Sequence, residues 1–189
     1  MNKNIIALSL ILISGSALAV PNVSDNTVRF KGEVSNQTCS LDINGNKQSP
    51  VVLLPTVSIN EFKTADAVTK GKTAGETEFT INVSGCSATT GSNGMESSLK
   101  IGFLGNLVTA GNNLGNTGTA KDISIQLVDN NSSSFVFTAG DLIASQTSIS
   151  IAEDGSVTPT TYKARYYAEE TTATAGSVIA SAQYAITYK

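Results

Sequence analysis

The chain has 189 residues, with 12 basic and 15 acidic side chains, two cysteines, and neither histidine nor tryptophan. A net charge of −3 with no basic cluster speaks against a nucleic-acid surface and against a polybasic membrane anchor. Without histidine it lacks the usual general base at neutral pH and the commonest metal ligand, so no enzyme activity, metal, cofactor or small-molecule substrate is expected.

Residues 1–19 read as a secretory leader: Lys3 gives the positive start, 5–13 a short apolar core, and Ala17-Leu18-Ala19 the small-residue cleavage pattern. The apolar core is too short for a membrane span. Cleavage between Ala19 and Val20 leaves 170 residues, enough for one domain plus an extension, with 15 acids against 11 bases because Lys3 is the leader's only charge. Cys39 and Cys86 then lie in an oxidising compartment and are expected to form one disulfide. That bond would tie the strand following Cys39 to the strand ending at Cys86, and closing a loop of this length stabilises by about 4 kcal/mol. It would also consume both thiols.

Downstream of the leader, apolar residues recur at every second position, the period of a half-buried antiparallel strand. In 27–34, Val28, Phe30, Gly32 and Val34 share one face and Thr27, Arg29, Lys31 and Glu33 the other. Cys39, Leu41 and Ile43 resume the pattern, followed by Phe79, Ile81 and Val83, then Leu99, Ile101 and Phe103, then Ile123, Ile125 and Leu127. Phe135 and Phe137 form a short set, and 148–152 and 162–167 are also strand-like. From Val178 through Ala180, Ala182, Tyr184, Ile186 and Tyr188 the alternation predicts one long terminal strand. Turn chemistry separates these runs at Asn44-Gly45, 91–94, 105–118, 129–134 and Asp154-Gly155. The stretch 105–118 reads as a polar surface loop, and 60–75 as the place for a short helical turn. Many short strands between frequent turns predict an all-β sandwich of the immunoglobulin-like kind, although the missing tryptophan argues against an antibody-type domain.

The two ends carry a resemblance. Val28-Arg29-Phe30-Lys31-Gly32-Glu33-Val34, with Cys39 shortly after, resembles the amino-terminal segment of type 1-like fimbrial subunits. The end Ala182-Gln183-Tyr184-Ala185-Ile186-Thr187-Tyr188-Lys189, with its penultimate aromatic, resembles their last strand, and Tyr162-Lys163-Ala164-Arg165-Tyr166-Tyr167 is similar too. With the leader and the single cysteine pair, the chain resembles the major pilins of chaperone–usher fimbriae over essentially its whole secreted length.

That resemblance implies an incomplete immunoglobulin-like sandwich that lacks its last strand, with residues 20–36 as a donor-strand extension and 37–189 as the pilin domain. It implies a head-to-tail homopolymer in which Val28, Phe30, Gly32 and Val34 of one subunit fill the groove of the next. A periplasmic chaperone would fill the groove first, an outer-membrane usher would assemble the filament, and Tyr184, Ile186 and Tyr188 would border the groove and meet the chaperone. The product would be a surface filament reached through the periplasm. Alternation alone leaves another reading open, in which 27–34 is the first strand of the chain's own fold and the protein is a secreted monomeric ligand-binding sandwich. Asn-x-Ser/Thr matches, such as those at Asn22, Asn36, Asn82 and Asn131, are expected by chance in so Asn-, Ser- and Thr-rich a chain.

Overall fold

The computed structural model describes Val34, residues 39–87 and residues 97–188. The chain divides into two units, Met1–Gly32 and Glu33–Lys189, and every described residue lies in the second.

Among the described residues ten strands follow one another: β1 Ser40–Ile43, β2 Lys63–Thr64, β3 Ala67–Val68, β4 Thr73–Ser84, β5 Ser98–Gly105, β6 Ile123–Val128, β7 Ile143–Ala144, β8 Ile149–Ser150, β9 Thr160–Ala168 and β10 Ala182–Tyr188. A 3-10 turn at Ile59–Phe62 precedes β2. One four-stranded sheet has the order β1-β4-β9-β6; the facing sheet runs β10-β5-β7 with β8 also on β5, and β2 and β3 make a separate hairpin. Every named pairing is antiparallel. Antiparallel sheets bury one face and wet the other, and this explains the alternating sequence.

The inward positions interlock. Phe79, Ile81 and Val83 of β4, Tyr162 and Ala164 of β9, and Ile125 and Leu127 of β6 meet Leu99, Ile101 and Phe103 of β5. At the centre, Phe103 sits edge-on to Phe79 at 6.4 Å and to Phe135 at 5.4 Å between ring centroids. Phe79 stacks on Tyr162 at 6.0 Å. Burying each large apolar side chain contributes about 1.5–3 kcal/mol.

The disulfide joins Cys39 to Cys86 across the first strand pair, with Cα atoms 4.3 Å apart. Ser40 pairs with Ser84, so the bond closes the ladder at one end of the sandwich, here called the disulfide pole. At the opposite pole a second cluster gathers Phe62, Val68, Ala120, Ile123, Ala168 and Ala173. The helical turn expected in 60–75 forms at its beginning. Ser58 caps it by accepting from the Asn60 N–H at 3.2 Å, while Glu61 accepts from the Ser58 N–H at 3.2 Å, a reciprocal cap.

Three expectations change. The long terminal strand is shorter, because 178–181 leaves the ladder and strand β10 starts at Ala182. Ile179 is diverted sideways: its N–H donates to the Asn116 side chain at 2.9 Å and its carbonyl accepts from the Thr117 N–H at 2.8 Å. The 105–118 stretch is not wholly surface, because Leu114 and Asn113 are buried. Leu114 exchanges both backbone hydrogen bonds with Ile125 at 2.9 Å. Phe135 and Phe137 are buried but form no named strand; Phe135 is tied to Leu127 and Phe137 to Asn112 through single backbone bonds.

Candidate functional site

The first sheet ends in β1 and the second in β10, and two tyrosine hydroxyls show that these edges lie on the same side of the sandwich. The Tyr188 hydroxyl accepts from the Cys39 N–H at 3.1 Å, at the start of β1. The Tyr184 hydroxyl donates to the Lys47 carbonyl at 3.3 Å, just past the β1 turn. That turn is Asn44-Gly45, with both residues at positive φ. The Gly45 N–H donates to Asp42 at 2.8 Å, and the Asn44 side chain accepts from the Thr80 N–H at 2.8 Å.

Among the described residues, β10 pairs with β5 on one side and has no ladder partner on the other. Its core-facing side chains Ala182, Tyr184, Ile186 and Tyr188 pack against the main core yet stay only half-buried. Their counterparts on β5, by contrast, are fully covered: Leu99 and Ile101 are 0% exposed. Leu41 of β1 and Val52 and Leu54 of the following segment are also half-buried against that core. The half-buried side chains of β10, β1 and the 52–54 segment thus all pack on the main core, and two tyrosine hydroxyls reach from one sheet edge to the other. An unpaired strand edge over an apolar floor is a template for another strand.

Tyr184, Ile186 and Tyr188 are thus brought together on one face of one strand, as the alternation predicted. Val34 is fully exposed. Val28, Phe30, Gly32, Ala19 and Val20 lie outside the described residues. Val52 and Leu54 were not singled out by sequence: Val51-Val52-Leu53-Leu54 is continuously apolar, so no alternation marks its inner face. Bracketing prolines Pro50 and Pro55 were the available signal for an edge segment.

The outer face of the first sheet is polar. Glu76 meets Lys163 at 2.8 Å and Arg165 at 3.2 Å. The Lys163 ammonium, hydrogen-bonded to Glu76, holds that carboxyl below its ordinary range. Arg165 also donates to the Gln126 side-chain oxygen at 2.7 and 2.9 Å. A carboxylate oxygen of Glu169 accepts from Thr109, Asn113 and Ser124 at 2.7, 3.0 and 2.6 Å, fastening the 106–120 loop to β6. No cluster of three or more His, Cys, Asp or Glu residues suited to a metal occurs among the described residues. None of their helices is long and apolar enough to cross a membrane.

Comparison with known proteins agrees with this architecture. The family described as Fimbrial protein matches residues 28–189. The major fimbrial subunit SMF-1 of Stenotrophomonas maltophilia (strain K279a) is 33% identical over 94% of this chain and 99% of its own length. The type-1 fimbrial protein A chain of Escherichia coli (strain K12) is 27% identical over 98% and 96%, respectively. The P pilus rod subunit PapA shares the fold with a TM-score of 0.58 at 18% identity, covering 79% of this chain and 99% of that one. A subunit from a chaperone–usher pilus structure matches with a TM-score of 0.57 at 18% identity, covering 92% and 100%. With the family match running from Val28 to the last residue, the chain belongs to the fimbrial protein family and is a structural subunit of a surface fimbria.

Proposed function

We propose that this subunit polymerises head to tail by strand donation, with residues 20–36 of one copy entering the cleft beside β10 of the next. The observation that carries this reading is the half-buried inner face of β10 next to an edge with no ladder partner among the described residues. A donated strand would satisfy that edge's N–H and C=O groups and place alternate side chains in the cleft. Val28, Phe30, Gly32 and Val34 have the required period. The full exposure of Val34 fits a side chain whose partner is another molecule. Because donor and acceptor surfaces differ, the contact does not close on itself and yields a filament.

The same cleft needs covering before assembly, since an open apolar edge aggregates. A periplasmic chaperone is the proposed first occupant, with Tyr184, Ile186 and Tyr188 in its contact, and an outer-membrane usher the site of exchange. The domain boundaries that follow are a leader over 1–19, a donor extension over 20–36 and a pilin domain over 37–189. The test is deletion of residues 20–34. The truncated subunit should still bind chaperone and should form no filament, and normal filaments from it would refute donation by this segment.

A further inference from the structure

We propose that Leu107 and Ile179 form a seat on which the sandwich of the next copy of this chain rests in the filament; this rests on the donation reading above. Both are large aliphatic side chains left open, at 49% and 59% exposure. They flank one stretch of backbone. The Leu107 carbonyl accepts from the Gly115 N–H at 2.8 Å, and the Ile179 carbonyl accepts from the Thr117 N–H at 2.8 Å. They lie at the pole where β10 begins, because Ala182 pairs with Gly105 and the Asn106 N–H donates to the Ser181 carbonyl at 3.2 Å.

The surface is also firmly held. Asn116 accepts from the Gly118 and Ile179 N–H groups at 2.7 and 2.9 Å. Ser177 and Thr119 exchange side-chain-to-backbone bonds at 2.9 and 3.0 Å. Gly118 and Gly176 allow the two segments to approach closely, since a Cβ on either would collide with the facing backbone. Glu169 fastens the rest of the loop from below, through Thr109 and Asn113.

Direction and length select the occupant. Every described pairing is antiparallel, and a donor strand laid antiparallel to β10 runs from the Tyr188 end to the Ala182 end. Its last apolar residue, Val34, would emerge beside Leu107 and Ile179. Only residues 35–38 separate Val34 from Cys39. Five Cα steps reach at most about 18 Å, so the donor's own disulfide pole must stay near this seat. One copy's disulfide pole is thereby set on its neighbour's opposite pole, repeating at every joint. Two aliphatic side chains at such a joint would be covered by the neighbour's Cys39 and Cys86 end.

A photo-reactive amino acid at position 107 of the full-length chain, in assembled filaments, tests this. Crosslinks from 107 to residues 39–42 or 84–87 of a second copy are expected. Filaments that form while 107 crosslinks elsewhere, to another protein or to nothing would overturn the seat and leave donation standing. The Leu107→Lys, Ile179→Lys double variant gives an independent readout. Its filament yield should fall at least fivefold while the purified full-length chain captures a synthetic 20–34 peptide within twofold of wild type. Unchanged filament yield would overturn the seat. Loss of peptide capture would do so as well, by tracing the effect to the cleft.

Discussion

The Tyr162 side chain is wholly buried at the centre of the sandwich, and its hydroxyl has no hydrogen-bond partner among the described residues. The neighbouring Ser145 hydroxyl donates to the Thr147 carbonyl at 2.8 Å, and its oxygen offsets only part of the effect of burial on the Tyr162 phenol. An unpaired buried hydroxyl costs about 1–3 kcal/mol, so Tyr162→Phe should raise stability by about 1 kcal/mol or more. The ring stacks and edge contacts with Phe79 and Phe103 would be kept. A pH signature accompanies this. Burial pushes the Tyr162 phenol up from its ordinary 10 to about 12, so the folded state prefers the protonated form. The contribution is fully present below pH 10 and is lost as pH rises toward 12, where the unfolded chain has ionised first. Two units correspond to about 3 kcal/mol. Urea unfolding of the purified subunit, followed by far-ultraviolet circular dichroism between pH 8 and 12, measures both effects. Wild type should lose stability steeply across that window and Tyr162→Phe much less. A Phe variant destabilised by more than 1 kcal/mol, or one with the wild-type alkaline slope, would refute an unpaired hydroxyl.

Other perturbations probe the cleft and its frame. Cys39→Ser should cost about 4 kcal/mol and cut periplasmic accumulation, measured by subunit yield. Ile186→Asp should abolish filament formation, whereas Ala185→Asp, on the exposed face of the same strand, should be tolerated; electron microscopy of the two strains compares them. Gly118→Val should lower the urea midpoint by the equivalent of about 2 kcal/mol or more, because overpacking against backbone cannot relax through a side chain. Tyr188→Ser removes the hydroxyl that accepts from the Cys39 N–H and should reduce chaperone co-purification and subunit yield.

The strands that form the sandwich were legible because burial on one face writes itself into the sequence as alternation, as in Phe79-Ile81-Val83 and Leu99-Ile101-Phe103. The half-buried inner face of β10 was legible for the same reason, through Tyr184, Ile186 and Tyr188. Two-residue strands such as β7 and the β2–β3 hairpin are too short to show a period. Residues 113 and 114 are buried by a loop that folds back onto β6, and the Gly- and Asn-rich sequence around them advertises only turns. Ile179 continues the alternation of β10 but is pulled from the ladder by Asn116 more than sixty positions away, a contact no local pattern encodes. The partners of the tyrosine hydroxyls, Cys39 N–H and the Lys47 carbonyl, are likewise matters of how the two sheet edges meet.

Filament assembly by Phe30→Asp and Lys31→Asp subunits tests strand donation most directly. The two positions are adjacent and receive the same side chain, and net charge falls by one in the first variant and by two in the second, so charge alone would penalise Lys31→Asp more. If alternate residues of 28–34 enter the cleft, Phe30→Asp places an unpaired charge in an apolar site and should block filaments. Lys31→Asp changes the outer face and should leave filament yield near wild type. Equal filament yield from the two variants would contradict donation by this segment and favour a self-contained secreted sandwich.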